Sequence, residues 1–402
     1  MNNIIKTVSI IKKIIKKTPL QYNNDLSIKY CNNIFLKRED LSPIKSYKLR
    51  GAYNKIFSLT SEEKQKGIIT CSAGNHAQGV AYSCHKLNIK GEIFMPIITT
   101  QQKINKVKKF GQEMVNINLI GNNFDETYDF AIKYSKINNK EFIHPFDDIK
   151  VIEGQATVGY ELLKQNKKID IIIVPIGGGG LSAGLCSYIK KINPNIKIIG
   201  VEPLNAPSMK KSIEANKIIK LDNIDTFVDG ASVKQVGKLN YEICKKYLDD
   251  IILIDEGHVC SKILEIYNDH SIIIEPAGVL SLCCLDIIKE INKNIVCIIS
   301  GGNSDVFRMT EIMERSLLYK GLKHYFKIEL NQKAGALKEF ILNVLGPNDN
   351  IIFFKYSRIF NQEIGPIFIG IEIIDKNDIQ QIINKMNINN IKYQKLNYQD
   401  LI

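Results

Sequence analysis

A chain of 402 residues, 45% hydrophobic and 24% charged, exceeds one comfortable core and reads as two or more globular domains. Its formal charge of +12 comes almost wholly from lysine, with arginine only at Arg38, Arg50, Arg308, Arg315 and Arg358. Without an arginine cluster, an RNA-type aromatic motif or zinc-finger spacing, no nucleic-acid partner is expected, and the heavy use of Lys, Asn and Ile points to an A- and T-rich codon supply.

The N-terminal segment MNNIIKTVSIIKKIIKK sets Ile4, Ile5, Val8, Ile11 and Ile15 at near-helical spacing between lysines. This predicts a packing helix; a signal peptide needs a longer unbroken apolar run, and transit peptides are rich in Arg and Ser. Short Ile- and Val-rich runs then predict strands at 67–71, 91–96, 114–120, 170–177, 197–203 and 294–302, with helical patterns between most of them. That alternation is the signature of parallel α/β architecture, in which ligands bind beyond the carboxyl ends of the strands. After residue 320 the order becomes βαββαβ, an α+β ferredoxin-like module. The expected domains are 1–320, with a smaller subdomain over roughly 50–150 inserted, and 321–402. No run of some twenty apolar residues predicts a membrane span. The nine cysteines, with Cys283 and Cys284 adjacent and no C-x-x-C pair, suit a reducing cytoplasm rather than a disulfide framework or zinc site.

Three loops carry chemistry. GGGGL, from Gly177 through Gly178, Gly179 and Gly180 to Leu181, follows a strand and opens a helix, so its N–H groups can converge on a phosphate. It lacks the Lys-Ser/Thr ending of a Walker loop and matches G-x-G-x-x-G only in part, which favours a phosphorylated cofactor other than ATP or NAD over a plain tight turn. SAGNH, from Ser72 through Ala73, Gly74 and Asn75 to His76, also opens a helix. It can grip a carboxylate, although alone it reads more readily as a simple helix cap. SGGN, beginning at Ser300, is a third loop of this kind, by itself only a turn. In SYKLRGA, Lys48 has hydroxyl-bearing and apolar neighbours. A lysine held where its ammonium loses hydration becomes a neutral amine able to attack an aldehyde. Lysine, phosphate cradle and carboxylate grip together are what a pyridoxal-phosphate enzyme acting on an amino acid requires.

The segments FLKREDLSPIKSYKLRGAYNKI, SAGNHAQGVA, EGQATVGYELL, VPIGGGGLSAGL, VEPLNAPSM, DGASVKQVG, EPAGVLSL and SGGN, in this order, resemble the threonine dehydratases (threonine ammonia-lyases) of the tryptophan-synthase-β-like pyridoxal-phosphate fold, fold type II. The match spans about residues 15–320, and the tail resembles the single ACT-like regulatory domain of the biosynthetic members. The resemblance implies two open α/β subdomains, pyridoxal 5'-phosphate as cofactor, Lys48 as the catalytic Schiff-base lysine, Asn75 at the cofactor's 3' oxygen, Gly177 to Leu181 at its phosphate and Ser300 at its pyridine nitrogen. Ser72, Ala73, Gly74, Asn75 and His76 would hold the substrate, L-threonine with serine as a lesser option. No metal ligand is implied, since Ser208 stands where related racemases have an aspartate beyond Glu202 and Ala206. It further implies a first step of isoleucine biosynthesis, isoleucine as effector, and a homo-oligomer, tetramer or dimer. Tyr47 stands where the family usually has Phe. Ala73 stands where racemases place a second serine, so racemisation is not expected. Phe146, after His144 and Pro145, can line the substrate pocket or serve as a core aromatic.

Overall fold

The isoleucine and valine runs become the strands, as their β-branched side chains require. In the computed structural model, which describes residues 4–356 and 363–397, the chain forms two units, Met1–Asp305 and Val306–Ile402. The first unit contains β1 (Leu20–Tyr22), β2 (Asn33–Arg38), β3 (Ile68–Cys71), β4 (Gly91–Met95), β5 (Val115–Leu119), β6 (Glu141–Phe142), β7 (Ile171–Pro175), β8 (Lys197–Pro203), β9 (Asp250–Ile254) and β10 (Asn294–Ile299). They make two sheets, ordered β1-β2-β10-β7-β8-β9 and β5-β4-β3-β6. Every pairing is parallel except that of β1 with β2. The four-stranded sheet lies wholly between β2 and β7 in sequence, so it is an insertion into the larger one.

All six strands expected from the first 302 residues are present, and their unbroken apolar runs follow from burial on both faces: β7 has no exposed position. Four strands were not anticipated. β1 and β6 are three and two residues long, too short for a period to show. β9 is a short run flanked by acidic residues. β2 reads NIFLKR, and its Lys37 is fully buried; a charge inside a parallel sheet hides a strand from any apolar pattern.

The N-terminal helix covers Ile4–Ile11, shorter than the run to residue 17, with Met1 to Asn3 outside the described residues. It buries Val8, and packs Ile10 and Ile11 against Ile44, Leu49 and Tyr53, while Ile5 faces outward at 72% exposure. Four further helices, Lys48–Phe57, Asn75–Leu87, Ile149–Gln165 and Gly180–Ile192, surround the strand ends. They cross at backbone contact. A Cβ at Gly154 would lie 2.4 Å from the Arg50 carbonyl and 2.7 Å from the Gly51 Cα, and one at Gly184 would lie 2.8 Å from the Ala156 nitrogen.

The second unit carries β11 (Lys323–Asn331), helix Ala336–Val344, β12 (Asn350–Tyr356), β13 (Ile364–Glu372), helix Asp378–Ile388 and β14 (Lys392–Leu396), the βαββαβ order expected. Ser357, the last residue of one expected strand, lies outside the described residues. The sheet is antiparallel in the order β12-β13-β11-β14. Its core joins Phe326, Ile328, Ile369 and Ile371 from the strands to Phe340, Ile382 and Met386 from the helices. Among the described residues no helix is long and apolar enough to cross a membrane.

The helix crossings set a stability expectation. Gly154→Ala drives a methyl into backbone and lowers stability by about 3 kcal/mol. At Gly74 an added Cβ meets nothing, and Gly74→Ala stays within about 0.5 kcal/mol of the parent; denaturation midpoints of the two variants check both.

Candidate active site

Three parallel strands, β3, β7 and β10, end in the loops carrying Ser72 to His76, Gly177 to Gly180, and Ser300 to Asn303. After β7 the chain must turn sharply into the Gly180–Ile192 helix, and Gly179 does so at φ +92, a left-handed conformation only glycine adopts freely. Side chains are excluded from this loop on steric grounds as well. A Cβ at Gly178 would fall 2.3 Å from the Phe146 ring, and one at Gly177 would fall 3.0 Å from the Ala231 Cα. The Asn240 side chain ties the loop down by donating to the carbonyls of Gly178 at 2.8 Å and Phe146 at 3.1 Å. No acceptor among the described residues meets the amide N–H groups of Gly177 to Leu181. Bare donors at a helix N-terminus, on a loop where neighbouring protein leaves no room for side chains, are suited to a phosphate.

Lys48 opens the Lys48–Phe57 helix. Its Nζ donates to the Pro145 carbonyl at 2.9 Å and lies 5.5 Å from the Tyr47 ring and 5.9 Å from the Phe146 ring. Loss of hydration lowers its pKa to about 8, partly opposed by the Glu275 carboxylate. The Tyr47 nitrogen donates to the Ser300 carbonyl at 3.1 Å, and Ser46 bridges to Gly301. The lysine and the serine loop are therefore held in one register.

The Ser72 to Asn75 loop is partly exposed along its length. Ser72 Oγ accepts from the Gly74 nitrogen at 3.2 Å, and no side chain caps the helix that begins at Asn75. Asn75 Nδ2 donates to both oxygens of Glu275, at 2.8 and 3.0 Å, and its Oδ1 accepts from Asn303 Nδ2 at 2.7 Å. The amide orientation is thereby determined, with nitrogen toward Glu275. Burial pushes the Glu275 carboxyl up to about 7, against the hydrogen bond from Asn75. His76 and Leu181 belong to the site only through their backbones. The His76 ring is buried, bonds the Ile143 carbonyl at 3.0 Å, and is kept neutral with its pKa pushed down to about 3 by burial and by Lys48. Leu181 packs into the main core.

Behind Lys48 lies an ion cluster with no exposed charge. Arg50 Nε and Nη2 donate to Glu39 at 2.8 and 2.9 Å, and Nη1 and Nη2 donate to Glu161 at 2.9 and 3.0 Å. Lys37 Nζ adds bonds to Glu161 at 2.7 Å and to the Thr18 carbonyl at 2.9 Å. Burial alone would loosen the guanidinium proton, but Glu39 and Glu161 more than restore it. The KLRGA and GYELL segments are thus two halves of one contact.

The sequence points to Lys48, the glycine loop, Asn75 and Ser300. It gives no role to Glu275, Asn303, Asn240 or the Arg50 cluster; Glu275 and Glu161 stand inside EPAGVLSL and EGQATVGYELL, where their signal is a carboxylate amid small and apolar residues. Glu202 is fully buried, and its two oxygens accept from the Met209 and Lys210 nitrogens at 2.8 and 2.9 Å, starting the Ser208–Glu214 helix.

Comparison with known proteins agrees with this geometry. Residues 11–301 match the family described as pyridoxal-phosphate dependent enzyme, and residues 314–402 match the C-terminal regulatory domain of threonine dehydratase. The chain is 47% identical to the biosynthetic L-threonine dehydratase IlvA of Halalkalibacterium halodurans over 99% of its own length and 96% of the relative's. The chain belongs to the threonine dehydratase family of pyridoxal-phosphate dependent enzymes. The corresponding protein of Bacillus subtilis is 44% identical over 99% and 95% of the two chains. Processed threonine deaminase isoform 2 of Solanum lycopersicum superposes with a TM-score of 0.74 at 37% identity, covering 78% of this chain and 94% of that one. Maize serine racemase follows at 0.73 and 30%, with 79% and 98% covered. The fold class and cofactor expected from sequence are those of this family, and the residues present fit the cofactor.

The lysine sets a pH dependence. Only its neutral amine captures an aldehyde, so the rate at which cofactor-free protein takes up pyridoxal phosphate rises with pH and levels off above about 8. A solvated lysine would keep the rate rising to about 10.4; stopped-flow absorbance distinguishes the two profiles.

Proposed function

We propose that the protein deaminates L-threonine to 2-oxobutanoate and ammonia in the cytoplasm, at the entry to isoleucine biosynthesis. The observation that carries the reading is that the Pro145 to Phe146 segment links Lys48, bonded to the Pro145 carbonyl, to the side-chain-free run Gly177 to Gly180, against which the Phe146 ring packs. Lys48 would hold the cofactor aldehyde, the 177–181 amides its phosphate, Asn75 its 3' oxygen and Ser300 its ring nitrogen. When bound, pyridoxal phosphate supplies the electron sink that makes a substrate α-proton acidic.

The rest is done by this chain's own groups. The Ser72 to Asn75 loop, with a helix N-terminus facing the cleft, binds the substrate carboxylate. The Lys48 amine, with its pKa lowered to about 8, takes the α-proton at Nζ. Departure of the β-hydroxyl as water, followed by addition of water to the released enamine's imine form, yields the oxoacid and ammonia. Tyr47 and Phe146 flank the amine and limit the entry of water. Ser300, neutral and buried, gives the ring nitrogen no charge and so favours prompt elimination over persistent carbanion chemistry.

Ala73 supports dehydration over racemisation. Its methyl packs beside Ala77, Ala81 and Met95 and cannot deliver a proton to the second face of the α-carbon. Lys48→Ala abolishes both the visible absorbance of the holoprotein and 2-oxobutanoate formation, measured with threonine and with serine; a yellow, active variant would refute the assignment.

The match of residues 314–402 to a threonine dehydratase regulatory domain supports feedback through this module, with isoleucine as the proposed effector and a homo-oligomer as the proposed assembly. Allostery requires the effector to bind two states unequally. Threonine saturation curves are therefore expected to move to higher substrate concentration with isoleucine, and superimposable curves would rule the control out.

A further inference from the structure

We propose that Phe146 is the specificity-determining residue that recognises the β-methyl of threonine; this rests on the function proposed above. The argument begins with the three substituents that an amino acid's α-carbon carries besides its nitrogen. The carboxylate goes to the helix N-terminus at Asn75, where Ser72 and Gly74 form the loop. The proton faces the Lys48 amine. The β-carbon is left the remaining direction, along the segment from Pro145 to Phe146 that passes from Lys48 to the phosphate cradle. Lys48 Nζ bonds the Pro145 carbonyl at 2.9 Å and stands 5.9 Å from the Phe146 ring. That ring in turn fills the space a side chain would need at Gly178. With the Tyr47 ring, 5.5 Å from the same amine, it supplies the apolar surface next to the reacting centre, and of the two it is the one that borders the glycine loop.

The ring is held in place by its backbone. His144 Nδ1 accepts from the Phe146 and Asp147 nitrogens at 3.2 and 2.8 Å, and the two rings meet edge to face with centroids 4.7 Å apart. The imidazole serves as an acceptor because burial keeps it neutral, its pKa lowered to about 4. Asn240 takes the Phe146 carbonyl, and Asp147 accepts from the nitrogens of Lys238 and Leu239, each at 2.9 Å. A residue whose carbonyl, amide and ring all have fixed partners presents a rigid wall. Against such a wall a methyl gains contact, and serine, which lacks the methyl, leaves a gap.

The test uses the holoprotein with L-2-aminobutyrate and L-alanine, which differ by one methylene and carry no hydroxyl to lose, so binding is read at equilibrium from the cofactor's visible spectrum. The parent is expected to bind 2-aminobutyrate about tenfold more tightly than alanine. Phe146→Ala brings that ratio near one while both amino acids still shift the spectrum, and Phe146→Leu keeps part of the preference. The same fall is expected in the threonine-to-serine ratio of kcat/KM. An unchanged ratio in Phe146→Ala overturns the inference, as does a parent without preference. If Phe146→Ala fails to fold, Phe146→Leu decides alone, and an undiminished ratio overturns the proposal. A parent whose spectrum responds to neither amino acid would instead bring down the functional reading itself.

Discussion

The fully buried guanidinium of Arg50, shared between the carboxylates of Glu39 and Glu161, is the contact on which the site depends. Glu39 follows β2, Arg50 lies two residues after Lys48, and Glu161 sits on the helix after the β6 region. One planar cation therefore joins the large sheet, the lysine helix and the helix that returns the chain from the inserted subdomain. A buried ion pair is poor value as a source of stability, because desolvation offsets most of the attraction. It is effective as a constraint, since removing any partner leaves an uncompensated charge inside the protein. This knot anchors the helix that carries the amine at position 48, and the Pro145 carbonyl holds the amine itself.

The glycines complete what the ion cluster begins. Gly51 and Gly154 let two helices touch backbone to backbone, and Gly184 lets a third join them at Ala156. The third helix is the one whose N-terminus forms the phosphate cradle. The lysine and the cradle, more than a hundred residues apart in sequence, are thereby referenced to the same helix, Ile149–Gln165. Precise placement of a covalent anchor against an anion site follows from close packing, with little flexible side chain between them.

Much of this was legible in the sequence, for identifiable reasons. Strands buried on both faces, such as β7, announce themselves as apolar runs, and the glycine loop after β7 is visible because four consecutive glycines have few other uses. The βαββαβ tail was legible because its strands and helices each keep a single period. What stayed hidden were elements whose residues answer to partners far along the chain. β2 carries Lys37 because Glu161 awaits it 124 residues later. Glu275 gives no local sign that it will meet Asn75, 200 residues earlier, and determine which way that amide faces. His144, which in sequence is no more than a neighbour of Phe146, is in the fold a neutral acceptor for two backbone nitrogens.

The arginine count gains a meaning from the fold. Within residues 1–305 the chain has only Arg38 and Arg50, and both are buried and bonded to carboxylates through more than one nitrogen. Lysine, the cation that an A- and T-rich codon supply provides freely, serves widely on the surface but has a single point of charge and cannot present the planar fork that grips carboxylates through several nitrogens. Drift in nucleotide composition can thus rewrite the exterior of such an enzyme almost without limit. It halts where geometry demands a fork, and those few positions mark the parts of the fold that mutation pressure cannot reach.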